Sequence, residues 1–238
     1  MQLVVIDNFS ADETPTIAPK YADVFQQAGP ERSRQRNLGA GLAIGEYLLF
    51  IDSDMVLQTS VVEDCLAEVA RGAGAVIVPE VSFGEGYWSA CKALERSCYV
   101  GDDTIEAPRF IQGILFRDLA GYDEELVAGE DWDLAERIRG HGARIGRIET
   151  PILHDEGHLS LWETMRAKYY YGLSMPRYIR KHPNVARRQL TLLRPAFVKH
   201  HDILTSHPTL TAGMLFMKTC EAAAGGLGAV VGWHRGVA

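Results

Sequence analysis

The stretch Gly45-Glu46-Tyr47-Leu48-Leu49-Phe50-Ile51-Asp52-Ser53-Asp54 decides the fold. A short apolar run that ends abruptly in two carboxylates reads as a buried strand whose C-terminal end carries the polar groups. Open α/β sheets bind ligands outside the carboxyl ends of their strands, where two carboxylates can hold a hard divalent cation against a diphosphate. Taken alone, the acidic triplet also fits a solvated turn, because the pattern is short.

Working outward, Leu3 to Ile6 is a β-branched run that breaks at Asp7, Asn8 and Ser10, which predicts a strand running into a polar loop. Arg32 to Gly45 predicts a helix delivering the strand at 46–51. Helical spacing follows at 61–69 and 88–99, with strand-like segments at 75–78 and 143–148 and a further apolar segment at 110–116. Trp132 to Arg139 is helical behind the acidic pair Glu130-Asp131, and Pro151 to His158 predicts a loop rich in metal-ligand residue types. Strands alternating with helices imply an α/β fold around a mostly parallel sheet. A basic and aromatic run from Lys168 to Lys181, ending near Pro183, marks a change of composition. The expected division is a catalytic domain over 1–159 and a C-terminal helical extension over 160–238.

Composition narrows the function. The 47% hydrophobic and 23% charged shares are those of a globular chain, and 238 residues suffice to bury a core. A formal charge of −7 argues against a general nucleic-acid partner, so phosphate groups must be met by local cations or a metal. The four cysteines lack any paired CxxC spacing, which removes a zinc or disulfide framework and makes a reducing compartment the default.

Four blocks carry a resemblance over roughly residues 3–183. They are Val4-Val5-Ile6-Asp7-Asn8 with Ser10 and Asp12; Arg36-Asn37-Leu38-Gly39; the strand ending Asp52-Ser53-Asp54; and Gly121-Tyr122-Asp123-Glu124 followed by Gly129-Glu130-Asp131-Trp132-Asp133-Leu134. In this order and spacing the chain resembles family 2 glycosyltransferases, and the resemblance implies a GT-A-like fold. It implies that Asp7 and Asn8 lie near the nucleotide base or ribose, Arg36 near the diphosphate, and Asp52 and Ser53 near the ribose. Asp54 is then the direct ligand of Mn2+ or Mg2+. The same likeness makes an acidic residue at 130–131 the base for the acceptor hydroxyl, Asp131 first and Glu130 second. It places a metal-binding histidine at His154, with His158 as runner-up.

The implied activity is a hexosyltransferase-type reaction, inverting and metal-dependent, from a nucleoside-diphosphate sugar to a saccharide or lipid-linked acceptor in polysaccharide, glycolipid or cell-envelope glycan synthesis. The alternatives are a catalytically impaired homologue serving as a binding module and, behind it, a nucleotidyltransferase, which calls for a Gly-rich arginine-bearing loop not found near the N-terminus. The family's usual first strand and helix are expected to be missing, because Met1 stands just before what resembles the second strand. The apolar segment 210–233, interrupted by Lys218 and Glu221 and weakened by glycines, predicts peripheral contact at the inner face of the membrane and otherwise a cytoplasmic protein.

At Glu130 and Asp131 the residue chemistry permits two roles. The start of a helix favours ionised carboxylates, which suits a proton acceptor and equally a purely structural cap.

Overall fold

The computed structural model describes residues 1–191 and 194–235. The chain opens with β1 (Val4–Asp7), α1 (Thr14–Ile17) and β2 (Val24–Gln27), and β1 pairs with β2 in parallel as a sheet of two strands. After α2 (Arg32–Leu42) come β3 (Tyr47–Leu49), β4 (Met55–Val56), α3 (Val61–Ala70), β5 (Ala75–Ile77) and β6 (Glu80–Glu85). The sheet-bearing part continues through α4 (Tyr87–Ser97), β7 (Phe110–Gln112), α5 (Gly113–Asp118), α6 (Glu130–Gly140), β8 (Ile145–Arg147) and β9 (Ile152–His158).

The central sheet has the order β3-β7-β5-β8. Here the α/β class meets expectation but the strand sense is mixed: β7 runs antiparallel to both β3 and β5, and only β5 and β8 are parallel. Side chains alternate across this sheet, as strand geometry requires. Ala75 and Ile111 face one side, where they meet Leu115, Phe116, Leu134 and Ile138 of α5 and α6. Val76 and Phe110 face the other, against Val61 and Cys65 of α3. The sheet is therefore covered on both faces, which is why its strands read as unbroken apolar runs.

A third sheet, β4-β9-β6, corrects the loop expected at 151–158. That segment is a strand because it has partners on both sides, Met55 opposite His154 in β4 and Ser82 opposite His154 in β6. Its histidines and acids disguise it, since β9 is a polar strand at the rim and not a core one.

The basic and aromatic run is two helices, α7 (Leu161–Gly172) and α8 (Met175–Lys181), followed by α9 (Pro183–Gln189), α10 (Pro195–Lys199), α11 (His201–Ser206) and the long α12 (Pro208–His234). By length and composition α12 could cross a membrane. Met214 and Met217 instead pack on Cys91 and Leu94 of α4, so the helical part shares a core with the sheet-bearing part. Lys218 and Glu221 are buried in the same seam. Lys218 Nζ lies 2.7 Å from Glu95 Oε1, and Lys92 Nζ lies 2.8 Å from Glu95 and 2.7 Å from Glu221. A second seam joins α12 to α7 through glycines. A Cβ added at Gly228 or Gly232 would overlap the carbonyl oxygens of Tyr169 and Leu173. The glycines that weaken this segment as an isolated helix thus allow two helix backbones to touch.

Candidate active site

The Asp52-Ser53-Asp54 turn leaves β3 in a fixed direction. Phe50 N donates to Arg109 O at 3.0 Å, Met55 N donates to Asp52 O at 3.1 Å, and Asp155 N donates to Asp54 O at 2.8 Å. The last bond fastens Asp54 beside His154 on β9. Asp54 Oδ2 consequently lies 3.4 Å from His154 Nε2, while His154 Nδ1 lies 3.1 Å from Glu80 Oε2 at the start of β6. An ionised carboxylate can only accept, so Nδ1 donates to Glu80, and Nε2, the nitrogen facing Asp54, is the one open to a cation when it carries no proton. The hydrogen bond to Glu80, against the opposing effect of burial, raises the His154 pKa above the usual histidine value.

From Glu80 a chain of charges crosses the cleft. Arg109 donates to Glu80 Oε1 from Nη2 at 2.6 Å and from Nε at 2.9 Å, and its Nη1 lies 3.3 Å from Asp52 Oδ2. On the other oxygen of Asp52, Arg36 Nη2 sits at 2.7 Å, and Arg36 Nη1 reaches Glu130 Oε1 at 3.2 Å. Burial alone would raise the pKa of Asp52, but the two guanidiniums outweigh it and hold the carboxyl below its ordinary range. Glu80 behaves likewise: burial is overcome by the His154 hydrogen bond and the charges of Arg109 and Arg96.

The acidic pair enters through Gly129, whose φ of 77° is the left-handed backbone that a glycine adopts without steric cost. Glu130 is buried beneath Arg36, and burial followed by the neighbouring Asp131 pushes its pKa up to about 7. The helix start does not keep Glu130 reliably ionised, because desolvation exceeds the dipole's effect. Asp131 is different in its surroundings. It is partly buried at the cleft wall, its Oδ1 accepts from Trp132 N at 3.0 Å, and among the described residues no cation lies within ion-pair distance of it.

The cleft, about 400 Å³, brings together Arg36, Asp52, Glu130, Asp131 and His154, with Asp54 joined to it through the imidazole. It does not bring in the remaining candidates. Asp7, at the end of β1, is buried and satisfied by Ser10 Oγ at 2.5 Å, Ser10 N at 3.0 Å and Gln27 Nε2 at 2.9 Å, and the Gln27 and Ser10 bonds hold its pKa low. Asn8 and Ser53 are exposed, and His158 is paired in register with Glu85, well along β9 from the Asp54 contact.

Sequence reasoning overlooked Glu80, Arg109 and Arg32. A signal existed: Pro79-Glu80 follows the apolar run 75–78 as Asp52 follows 47–51, and Arg109 immediately precedes the strand at 110. Asp133, two residues past Asp131, is buried and held by Arg137 at 2.8 Å, Lys181 at 2.7 Å and His182 at 2.8 Å.

Comparison with known proteins bears on the fold that carries this cleft. The profile of "Glycosyl transferase family 2" matches residues 1–112, which includes β1, α2 and the Asp52-Ser53-Asp54 turn. Over these residues the chain is similar to glycosyl transferase family 2. A pre-mycofactocin glycosyltransferase of Mycobacterium tuberculosis is 23% identical over 204 residues, covering 77% of this chain and 43% of that protein. The chain thus spans less than half the length of the curated relatives it matches. Among solved structures it resembles the mannosyltransferase PcManGT of Pyrobaculum calidifontis, in complex with GDP-Man and Mn2+, with a TM-score of 0.55 at 16% identity, covering 99% of this chain and 70% of that one. It also resembles S. aureus TarS, with a TM-score of 0.53 at 16% identity, covering 94% and 48% of the two chains. These likenesses establish the GT-A fold.

Proposed function

We propose that the protein transfers a sugar from a nucleoside-diphosphate donor to an acceptor hydroxyl, with inversion, at the cleft between Asp54 and Asp131. The observation that carries this reading is the row Asp54, His154, Glu80, in which a carboxylate and an imidazole nitrogen converge while a second carboxylate fixes the imidazole's tautomer. That arrangement fits a divalent cation such as Mn2+ or Mg2+. His154 would offer Nε2, Asp54 an exposed carboxylate, and Glu80 would be the outer partner that metal-bound histidines commonly have. Two protein ligands leave the remaining positions to phosphate oxygens and water, as is usual for magnesium-type sites. A cation held there would supply charge neutralisation for the departing diphosphate.

The chain's own residues do the rest. Asp131 accepts the proton of the acceptor hydroxyl as the oxygen attacks the anomeric carbon. Glu130, buried and bound to Arg36, supports the guanidinium that also holds Asp52, so the wall of the donor site is rigid before substrate arrives. Asp7, Asn8 and Ser53 are assigned to the base and ribose end, outside the charged cleft. The apolar residues exposed on α12, Phe216, Leu227, Val230 and Trp233, are assigned to peripheral contact with the inner face of a membrane, since Lys218 and Glu221 of this helix are occupied by α4.

Calorimetry with Mn2+ and UDP or GDP tests the donor site. The expected result is nucleotide binding that requires the metal, its loss in Asp54→Ala with the melting temperature retained, and a 10- to 100-fold weaker metal affinity in Glu80→Gln, the usual effect of removing a histidine's outer partner. Nucleotide binding that ignores the metal, or that survives Asp54→Ala unchanged, would remove Asp54 from the site.

A further inference from the structure

Beyond Asp131 the cleft continues to a second group of charges on α4, α7 and α12. Four of these balance one another. Lys92 and Lys218 are each shared between Glu95 and Glu221, at 2.7–2.8 Å for the three shorter contacts and 3.8 Å for Lys218 with Glu221. Lys168 is left over. It is partly buried on α7 and lines the cleft, and among the described residues no carboxylate lies within 4.0 Å of its Nζ and no acceptor receives a hydrogen bond from it. Arg194 is the second surplus cation. Its guanidinium lies 4.7 Å from the centre of the Tyr99 ring and its Nη2 donates to Gln189 O at 2.8 Å, while its Nε is buried without a partner among the described residues.

An ammonium drawn partly out of water without a counter-charge is costly, so it either gives up its proton or gains an anionic partner. Burial, with Lys92 and Lys218 adding to it, pulls the Lys168 pKa down to about 8 despite the nearby Glu221 and Glu95. The position is informative. The Tyr171 ring has both Lys168 Nζ, 6.0 Å from its centroid, and the Arg32 guanidinium, 5.6 Å away, as neighbours, and Arg32 in turn lies 3.5 Å from Glu130. Lys168 and the acidic pair thus meet the same Tyr171–Arg32 contact, while His154 lines the cleft from β9 with Asp54 beside it.

We propose that Lys168 and Arg194 bind an anionic group, a carboxylate or a phosphate, on the acceptor. The inference rests on the transferase reading for the word acceptor, and on the surplus of positive charge for the word anionic. The diphosphate of the donor is the competing source of the same chemistry, and it can be told apart by experiment.

Calorimetry in the presence of Mn2+ and UDP would compare 4-nitrophenyl β-D-glucuronide with 4-nitrophenyl β-D-glucoside, and glucose 6-phosphate with glucose. One charged hydrogen bond is worth about 1.5–3 kcal/mol, so at least one charged sugar should bind about tenfold or more tightly than its neutral counterpart. Lys168→Met should remove that preference, Lys168→Arg should keep part of it, and UDP affinity should be the same in all three proteins. Thermal melts check that the variants are folded. Equal binding within both pairs, or no measurable binding of any of the four sugars, would overturn the proposal. So would a Lys168→Met protein whose defect falls on UDP. Repeating the pairs without UDP separates the two readings: failure of the wild type to bind UDP counts against the transferase reading, whereas the charge preference reads the anion site by itself.

Discussion

Asp131→Asn lowers turnover roughly 10²- to 10⁴-fold, the usual worth of a positioned general base. The substitution keeps the size and the oxygen that accepts from Trp132 N, so the first turn of α6 survives. Donor affinity changes little, because Asp131 makes no contact with the row of residues from Asp54 to Arg109. Glu130→Gln is the informative control. Glu130 is buried beneath Arg36 and its pKa already stands at about 7, so the neutral amide imitates a state the wild type partly occupies. Its loss of turnover is smaller than that of Asp131→Asn. Steady-state kinetics on both variants, with the donor dissociation constant measured separately, check this. If Asp131→Asn is destabilised by about 1 kcal/mol but fully active, Asp131 is a helix cap and the base lies elsewhere.

Gly228→Ala destabilises the protein by about 1–3 kcal/mol, although alanine is the better helix former by roughly 1 kcal/mol. The sign carries the argument. At Gly228 the new methyl would meet the carbonyl oxygen of Tyr169, a backbone atom that cannot move without unseating α7. Two residues earlier, Gly226 has nothing within 4 Å of where its Cβ would lie. Gly226→Ala therefore raises the melting temperature, while Gly228→Ala lowers it by about 2–4 °C for each kcal/mol. If both substitutions stabilise, α12 is not packed on α7, and the placement of Lys168 in the cleft loses its scaffold.

What could be read in the sequence was whatever rests on a local pattern. The strand that leads to Asp52 and the helix that begins at Glu130 announce themselves through an unbroken apolar run and first-turn acids, and the structure has both, with the strand ending at Leu49. β9 could not be read, because its residues are polar and its identity as a strand comes from β4 and β6, which are distant in the chain. The antiparallel sense of β7 is equally a property of pairing. Arg109 and Glu80 were hidden for a related reason: each looks like an ordinary charged residue at a strand end, and only the folded chain brings one against the other. The glycines of α12 illustrate the opposite error. Propensity marks them as a weakness in an isolated helix, but the contact with α7 makes them the residues that permit the packing.

The central claim is that Asp54 and His154 hold one cation against a nucleoside diphosphate. Anomalous scattering at a wavelength near the manganese edge, from crystals of the protein grown with Mn2+ and UDP or GDP, measures it directly. The account predicts a single strong peak within ligand distance of both Asp54 Oδ2 and His154 Nε2, with diphosphate density on its open side. A peak bound elsewhere, or nucleotide density with no metal between it and these two side chains, would contradict it.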